Sequence, residues 1–204
     1  MTDEQRRKYD RVSRRGWALL KGELLLAGPG PSPKPGWFLR RRLRAAMTCF
    51  EAALRIAPDS WQSLWAMGKI HQRLGEAPEA FGCFRRAHQL APSQPDVARE
   101  AGIAASDLGD GPAAVQFTKA AIAAKPDDPG LVANLAIAHL INGEVEQAQL
   151  VAAEATSRAP NDPVSRAVRH LVNEVAEGRR PRPRTMRDLG KPRDLGRLPD
   201  PRIQ

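Results

Sequence analysis

The sequence has no long apolar run, few aromatic residues and almost no cysteine. No stretch approaches about eighteen uncharged apolar residues, so we expect no transmembrane helix. The amino terminus is charged and has no apolar segment behind it, which argues against a secretory signal and favours a cytoplasmic protein. Aromatic residues make up only 5% of the chain. A composition poor in aromatics and rich in alanine and leucine predicts packed helices rather than a β-sandwich.

The motifs that usually carry catalysis or metal binding are also missing. Two cysteines do not make a disulfide framework, and there is no Cys-x-x-Cys, no paired-histidine spacing and no glycine-rich phosphate loop. Cys49 and Cys83 lie 34 positions apart, on equivalent places of successive helices, so we expect them to be too distant for a bridge. The four histidines are interpreted as structural. We therefore expect no catalytic residue, no metal site and no cofactor.

Positive charge is concentrated at the two ends of the chain. Residues 1–60 carry a net charge of +7, residues 61–178 a net charge of −4 and residues 179–204 a net charge of +6. A mildly acidic middle segment therefore lies between two basic ends. Basic ends of this kind attract acidic surfaces and nucleic acid, although solvated charge is their commoner role.

The strongest positive signal is an internal repeat of 34 residues. Prolines, glycines and alanines recur at this spacing, and no gap is needed between residues 46 and 160. The recurring positions are Pro58, Pro92, Pro126 and Pro160; Gly75, Gly109 and Gly143; Ala46, Ala80, Ala114 and Ala148; and Gly68, Gly102 and Ala136. A repeat of this length indicates one supersecondary unit that is stacked along the chain.

Each recurring position has a physical role, which the unit 61–94 illustrates. The pattern predicts one helix over 61–74, ended by Gly75 where a left-handed residue is favoured, and a second over 78–91, ended by Pro92. Gly68 in the middle of the first helix predicts a close approach of another helix, because glycine there otherwise costs about 1 kcal/mol relative to alanine. Two helices in every unit predict an all-α fold, an α-solenoid of antiparallel helix pairs.

These positions resemble the pattern of the tetratricopeptide repeat (TPR) family. The unit 61–94 fills the family pattern best, with His71 standing where the family prefers an aromatic residue. The matching residues are Leu64, Met67, Gly68, His71, Ala80, Phe84, Ala87 and Pro92. The resemblance covers residues 14–178 and implies a TPR-like superhelix of about four repeats.

The repeat register divides the chain into segments. We expect a basic amino-terminal extension over 1–13, an irregular first repeat over 14–60, further repeats over 61–94, 95–128 and 129–162, a capping helix over 163–177 and a basic tail over 179–204. The tail is rich in proline and arginine and contains Arg-Asp-Leu-Gly twice, at 187–190 and 193–196. Its low apolar content predicts that it is disordered when free.

The first repeat is irregular because it contains an insertion. Trp17, Leu20 and Leu24 fit the spacing of a first helix, and an extended second helix is predicted over 37–56. Between them lies a segment rich in proline and glycine, residues 28–36, which is expected to be a loop. It is either a tolerated surface insertion or a functional lip beside a binding groove.

The resemblance implies that the first helix of each pair lines a concave groove for a peptide or helix of another protein. The residues expected to face this groove are Gln62, Trp65, Lys69, Arg73, Asp96, Arg99, Ile103, Asn134, Ile137, Leu140 and Ile141. The amino-terminal part would be basic, which favours an acidic peptide or a terminal carboxylate. Two questions stay open: whether Trp65 is an anchor or a packing residue, and whether the capping helix or a partner covers the apolar part.

The sequence therefore predicts a non-catalytic interaction module whose partner is another protein, acting as an adaptor, scaffold or assembly chaperone. The Ala- and Arg-rich composition points to a bacterial source, and self-association is left open. The alternative is binding of nucleic acid or an acidic surface through two basic patches. These are Arg40, Arg41, Arg42 and Arg44 towards one end, and Arg179, Arg180, Arg182, Arg184 and Arg187 towards the other. The second patch has no aromatic residue for base stacking.

Overall fold

A computed structural model describes residues 1–20 and 35–190. These residues form nine α-helices and one 3-10 helix, with no strand among them, and they separate into two compact units. The helices of unit 1 are α1 (Asp3–Leu20), α2 (Trp37–Ile56), α3 (Trp61–Leu74) and α4 (Ala77–Leu90). Those of unit 2 are α5 (Pro95–Leu108), α6 (Gly111–Ala124), α7 (Pro129–Asn142), α8 (Val145–Arg158), α9 (Pro163–Ala176) and the 3-10 helix Met186–Leu189.

Each unit is built from antiparallel helix pairs, so the fold is an all-α solenoid, as the 34-residue repeat predicts. The pairs are α1 with α2 and α3 with α4 in unit 1, and α5 with α6 and α7 with α8 in unit 2. No helix in the described part of the chain is long and apolar enough to cross a membrane.

Glycine ends the first helix of three repeats, as the sequence predicts. Gly75, Gly109 and Gly143 have φ angles of 82°, 77° and 88°, in the left-handed region where residues with a Cβ are strained. The N–H of each one donates to a carbonyl oxygen in the last turn of the preceding helix. The chain then reverses into the second helix, which is what makes the two helices antiparallel neighbours.

Small residues in the middle of the first helices mark close helix approaches. A Cβ built on Gly68 of α3 would lie 2.6 Å from the ring of Phe84 of α4, which is fully buried. A Cβ on Gly102 of α5 would lie 2.6 Å from Oγ1 of Thr118 on α6. The predicted reason for glycine at these two positions is therefore confirmed.

The first helix differs from the sequence prediction in both extent and register. Residues 3–13, expected to be an extension outside the repeats, form the larger part of α1, and the Tyr9 hydroxyl lies 2.7 Å from Oγ of Ser60. A Cβ on Gly16 would lie 2.8 Å from the ring of Phe50, the same relation that Gly68 has with Phe84. Gly16 therefore occupies the position in the first repeat that Gly68 occupies in the next, which differs from the register predicted from Trp17, Leu20 and Leu24.

The predicted insertion lies almost wholly outside the described residues, as does Leu24. Its last two residues are described, and α2 begins directly after them at Trp37. The start and end of this extended second helix agree with the prediction of 37–56.

The carboxy-terminal part of unit 2 contains the predicted capping helix and an ordered segment after it. Helix α9 packs on α7 and α8. Residues 179–190, predicted to be disordered when free, continue beyond it and include the 3-10 helix, which packs on α5. Residues 191–204 of the predicted tail lie outside the described residues. We call residues 180–190 the cis segment, because they pack on a surface of their own chain.

Candidate functional site

The candidate site is the surface on which the first helices of unit 2, α5 and α7, lie beside each other. We call it the α5–α7 face and define it by Ile103, Ile137, Leu140 and Ile141, all predicted groove residues. Ile103 is half-buried, whereas Ile137, Leu140 and Ile141 are 5%, 0% and 5% exposed. The apolar part of the predicted groove is therefore covered within this chain.

Two different parts of the chain contribute to that cover. Ile137, Leu140 and Ile141 share one apolar cluster with residues of α9, among them Leu171. Met186 and Leu189 of the cis segment belong to the same cluster and are only 4% and 3% exposed. The capping helix was one of the two expected covers. The second cover, which the sequence did not predict, is the chain's own tail.

Arg182 holds the cis segment to the end of α7. Its Nη1 donates to the carbonyl oxygens of Leu140 at 3.2 Å and Ile141 at 2.8 Å. These carbonyls lie in the last turn of α7, where the helix dipole places negative charge. A guanidinium at this position therefore gains both hydrogen bonds and a favourable field.

The 3-10 helix is closed at its start by an acidic side chain. Oδ2 of Asp188 accepts hydrogen bonds from the backbone N–H groups of Arg184 and Thr185, both at 2.8 Å. These hydrogen bonds hold the pKa of Asp188 below its usual value, because they favour the ionised carboxylate. The turn places Met186 and Leu189 three residues apart and directs both into the apolar cluster.

Two further contacts fix the backbone of the cis segment. Nη2 of Arg180 donates to the carbonyl oxygen of Leu189 at 3.0 Å, which ties the start of the segment to its end. At the end of α5, a Cβ built on Gly109 would lie 2.9 Å from the carbonyl oxygen of Arg184. Gly109 therefore serves two purposes, since it ends α5 in the left-handed conformation and leaves room for the segment.

Two of the three polar residues predicted for the groove in unit 2, Asp96 and Arg99, lie towards the start of α5, and the third is on α7. Arg99 forms ion pairs with Asp96 at 3.1 Å and with Glu100 at 3.2 Å. Glu100 is buried, so Arg99 supplies a charge partner for a carboxylate within its own helix. Asn134 on α7 is half-buried.

Two of the four predicted groove residues of unit 1, Trp65 and Lys69, pack against other side chains. Trp65 lies against Trp17, with ring centroids 6.2 Å apart, and Trp17 meets Phe50 edge to face at 5.2 Å. Lys69 is only 4% exposed and donates to Oε1 of Gln72 at 2.8 Å. These contacts support a packing role for Trp65.

The remaining residues of this set differ in exposure. Gln62 is exposed, and Arg73 is half-buried. The Nε1 of Trp65 is buried and has no hydrogen-bond partner among the described residues.

Several arginines of the two predicted basic patches have intramolecular partners. Arg44 forms an ion pair with Glu76 at 2.6 Å, and Arg41 stacks over the Trp37 ring at 5.7 Å. In the tail, Arg179 pairs with Glu177, while Arg180 and Arg182 donate to backbone carbonyls. Arg40, Arg42, Arg184 and Arg187 are exposed. These contacts weaken the interpretation of either patch as a phosphate-binding surface.

The histidines His71 and His139 contact carboxylates, and neither cysteine is in a disulfide. Nδ1 of His71 lies 2.7 Å from Oε2 of Glu76, and Nδ1 of His139 lies 2.5 Å from Oε2 of Glu144, so each pair joins a first helix to the start of the second. The cysteines are free and half-buried, and burial raises the pKa of Cys83 to about 11. Among the described residues, no group of three or more metal-ligating side chains is placed to hold a metal.

Sequence reasoning missed the residues that cover the α5–α7 face. Arg182 was predicted only as a member of a basic patch, and Met186 and Leu189 were not predicted to have a role. The available signal was the Arg-Asp-Leu-Gly motif, whose first copy supplies the capping Asp188 and the buried Leu189. The second copy, at 193–196, lies outside the described residues.

Comparison with known proteins supports the repeat assignment. A tetratricopeptide-repeat family model matches residues 105–170. No curated protein shows significant similarity to the chain. Among solved structures, MamA (residues 41 to the end) from Desulfovibrio magneticus RS-1 is similar, with 17% identity, coverage of 87% of this chain and 88% of that one, and a TM-score of 0.66.

Two other similar structures belong to proteins of different kinds. YrrB is described as a TPR protein with an unusual peptide-binding site, and has 16% identity, coverage of 68% of this chain and 72% of that one, and a TM-score of 0.60. An O-GlcNAc transferase from Thermobaculum terrenum has 17% identity and a TM-score of 0.57 over 78% of this chain but only 27% of its own. At these identities the likeness shows the fold alone.

Proposed function

Because this chain carries a tetratricopeptide-repeat array, we propose that it is a non-catalytic interaction module that binds a peptide or helix of a partner protein. The fold is one that presents the faces of its first helices for protein–protein interaction. We place the binding surface of unit 2 on the α5–α7 face.

The observation that carries this proposal is the cis segment itself. The face holds eleven consecutive residues that are neither part of a repeat nor of the capping helix. It recognises them through apolar contacts to Met186 and Leu189 and through hydrogen bonds from Arg182. A surface that holds one short segment by its side chains and backbone has the features of a peptide-binding site.

The similar structures support the same kind of activity. The structure of YrrB is described as having a peptide-binding site, so a likeness of fold extends to a protein that binds peptides. We propose that this chain acts in the cytoplasm of a bacterium as an adaptor, scaffold or assembly chaperone.

The proposal is tested by affinity capture from the native host with the full chain as bait. Ile103→Glu places a charge on the half-buried part of the α5–α7 face, and we expect it to abolish recovery of the partner. The matched control is Leu150→Glu on α8, where the side chain is 65% exposed, and this bait should recover the partner as the unaltered chain does. Equal recovery by both variants would contradict binding at this face.

A further inference from the structure

We propose that the cis segment is a built-in ligand of the α5–α7 face, and that the face accepts from a partner a peptide of the same chemistry. This ligand is a short segment with two aliphatic side chains three residues apart, an aspartate between them and an arginine four residues before the first. The proposal rests on the proposed function and names the ligand class.

A few side chains of the cis segment make most of its contacts with the face. Arg182 bonds to backbone carbonyls in the last turn of α7, and these carbonyls belong to every helix end whatever its sequence. Met186 and Leu189 are the only two side chains between 184 and 190 that are buried, and both join the apolar cluster of the face. Pro183, next to Arg182, is also buried. The segment is therefore held by one cationic anchor and two aliphatic anchors, with a buried proline between them.

The turn between the anchors is formed within the segment and needs nothing from the face. Asp188 accepts from the N–H groups of Arg184 and Thr185, and Thr185 and Asp188 complete a capping box. A peptide with this local sequence is therefore biased towards the bound conformation before it binds. Such bias reduces the entropy lost on binding.

The side chains that point away from the face are charged and exposed. Arg184 and Arg187 are both exposed, and they alternate with the buried anchors along the segment. Their exposure allows different residues at these positions in a partner. The anchors at positions 182, 186 and 189, together with the aspartate, define what the face selects.

The short connection between α9 and the cis segment determines how strongly the segment competes with a partner peptide for the face. Only residues 177–179 separate the end of α9 from the cis segment, so the local concentration of the tethered ligand is about millimolar. A partner peptide competes against this occupancy, and its apparent affinity equals its intrinsic affinity multiplied by the fraction of time that the face is uncovered. Release of the cis segment should therefore strengthen binding of an added peptide.

The experiment uses the full chain and a fluorescent synthetic peptide of residues 180–190. In the chain variant Met186→Ser with Leu189→Ser, the cis segment loses both aliphatic anchors. We expect the peptide to bind this variant at least tenfold more tightly than the unaltered chain. The matched chain control is Leu150→Ser, an apolar-to-polar change on an exposed site of α8, and it should bind as the unaltered chain does.

Peptide variants test the stated chemistry. A peptide with Leu189→Ala should bind the released chain at least tenfold more weakly, whereas one with Arg187→Ala should bind within about twofold of the original. Equal weakening by both substitutions would show attraction by charge alone and would overturn the proposal. Absence of peptide binding to a folded double variant would also overturn it, because the segment would then be a permanent part of the core.

The chain variant Arg182→Ala decides the case in which the double variant does not fold. It leaves both aliphatic anchors in place and removes only the guanidinium, so it should bind the unaltered peptide several-fold more tightly than the unaltered chain. Unchanged binding by this variant would overturn the proposal. If the peptide does not bind, a partner can still be captured by the full chain and lost in Ile103→Glu. The two proposals can therefore fail separately.

Discussion

Nη1 of Arg182 lies 2.8 Å from the carbonyl oxygen of Ile141, and this hydrogen bond joins the tail of the chain to a helix of the last repeat. The same atom donates to the carbonyl oxygen of Leu140 at 3.2 Å. Forty-one residues of sequence separate Arg182 from Ile141. The contact therefore depends on the tertiary structure and not on local sequence.

Arg182→Ala should loosen the cis segment without unfolding the repeats. Hydrogen bonds to charged groups contribute about 1.5–3 kcal/mol, and the exposure of Arg182 places its contribution near the lower end. We expect amide hydrogen exchange at Asp188 and Gly190 to become roughly tenfold faster, since about 1.4 kcal/mol corresponds to a factor of ten. Arg187→Ala is the control, because Arg187 is exposed and lies in the same turn. Equal effects of the two substitutions would contradict the role of Arg182.

Docking of the cis segment should weaken in acid because of Asp188. Hydrogen bonds from Arg184 and Thr185 hold the pKa of Asp188 in the folded chain below the unfolded value of about 3.9. The stabilisation is therefore complete above about pH 4 and is lost as the pH falls through the folded pKa. Exchange at Gly190, corrected for the intrinsic pH dependence, should show this loss, and Asp188→Asn should remove it. A pH dependence that persists in Asp188→Asn would assign the titration to another group.

Gly68→Ala should destabilise unit 1. The added Cβ would lie 2.6 Å from the ring of Phe84, which is fully buried, so the ring or the helix would have to shift. Overpacking of this kind costs about 1–3 kcal/mol, which exceeds the gain of about 1 kcal/mol from replacing glycine within a helix. Urea denaturation followed by circular dichroism measures the difference in the free energy of unfolding.

Gly82→Ala is the matched control for that substitution. Gly82 also lies within a helix, but it is exposed and a Cβ there would meet no atom within 4 Å. This variant should be stabilised by up to about 1 kcal/mol, because only the helix propensity changes. Destabilisation of both variants to the same extent would show that close packing is not the reason for glycine at position 68.

Asp162→Ala should destabilise the capping helix α9. Oδ2 of Asp162 accepts hydrogen bonds from the backbone N–H and from the hydroxyl of Ser165, both at 2.7 Å. It thereby provides an acceptor for a backbone N–H in the first turn of the helix. Loss of an N-cap of this kind costs about 0.5–2 kcal/mol. The control is Gln94→Ala, since Gln94 precedes α5 without forming a side-chain cap. Thermal unfolding should show a lower midpoint for Asp162→Ala than for Gln94→Ala, and the reverse order would contradict this role.

The repeats were predictable because their signals are local. Proline, glycine and small residues determine where helices begin, end and approach each other, and these effects act within a few residues of sequence. The role of Gly75, Gly109 and Gly143 in ending helices could therefore be predicted from the sequence, and so could the start of α9 at Pro163. The register of α1 was not readable in this way, because the insertion interrupts the repeat and Gly16 has no equivalent at a spacing of 34.

The candidate site was only partly predictable. Ile137, Leu140 and Ile141 were correctly identified as apolar residues that need a cover, because three large aliphatic residues are unusual on a solvated face. The cover itself was missed, since Met186 and Leu189 stand alone among proline and arginine and gain burial only from a surface distant in sequence. In unit 1, Lys69 was expected in an open groove but is buried, because exposure depends on neighbours that sequence spacing does not specify.

Displacement of the cis segment in the unaltered full chain tests the central claim most directly. The chain is labelled with nitrogen-15, and an unlabelled peptide of residues 180–190 is added to about 10 mM, above the millimolar local concentration of a tethered segment. We predict that the amide signals of residues 185–190 shift towards those of a free peptide, while the amides of α7 remain protected from exchange. Tail signals that stay unchanged at about 10 mM peptide, when this concentration saturates the chain lacking both aliphatic anchors, would contradict the account.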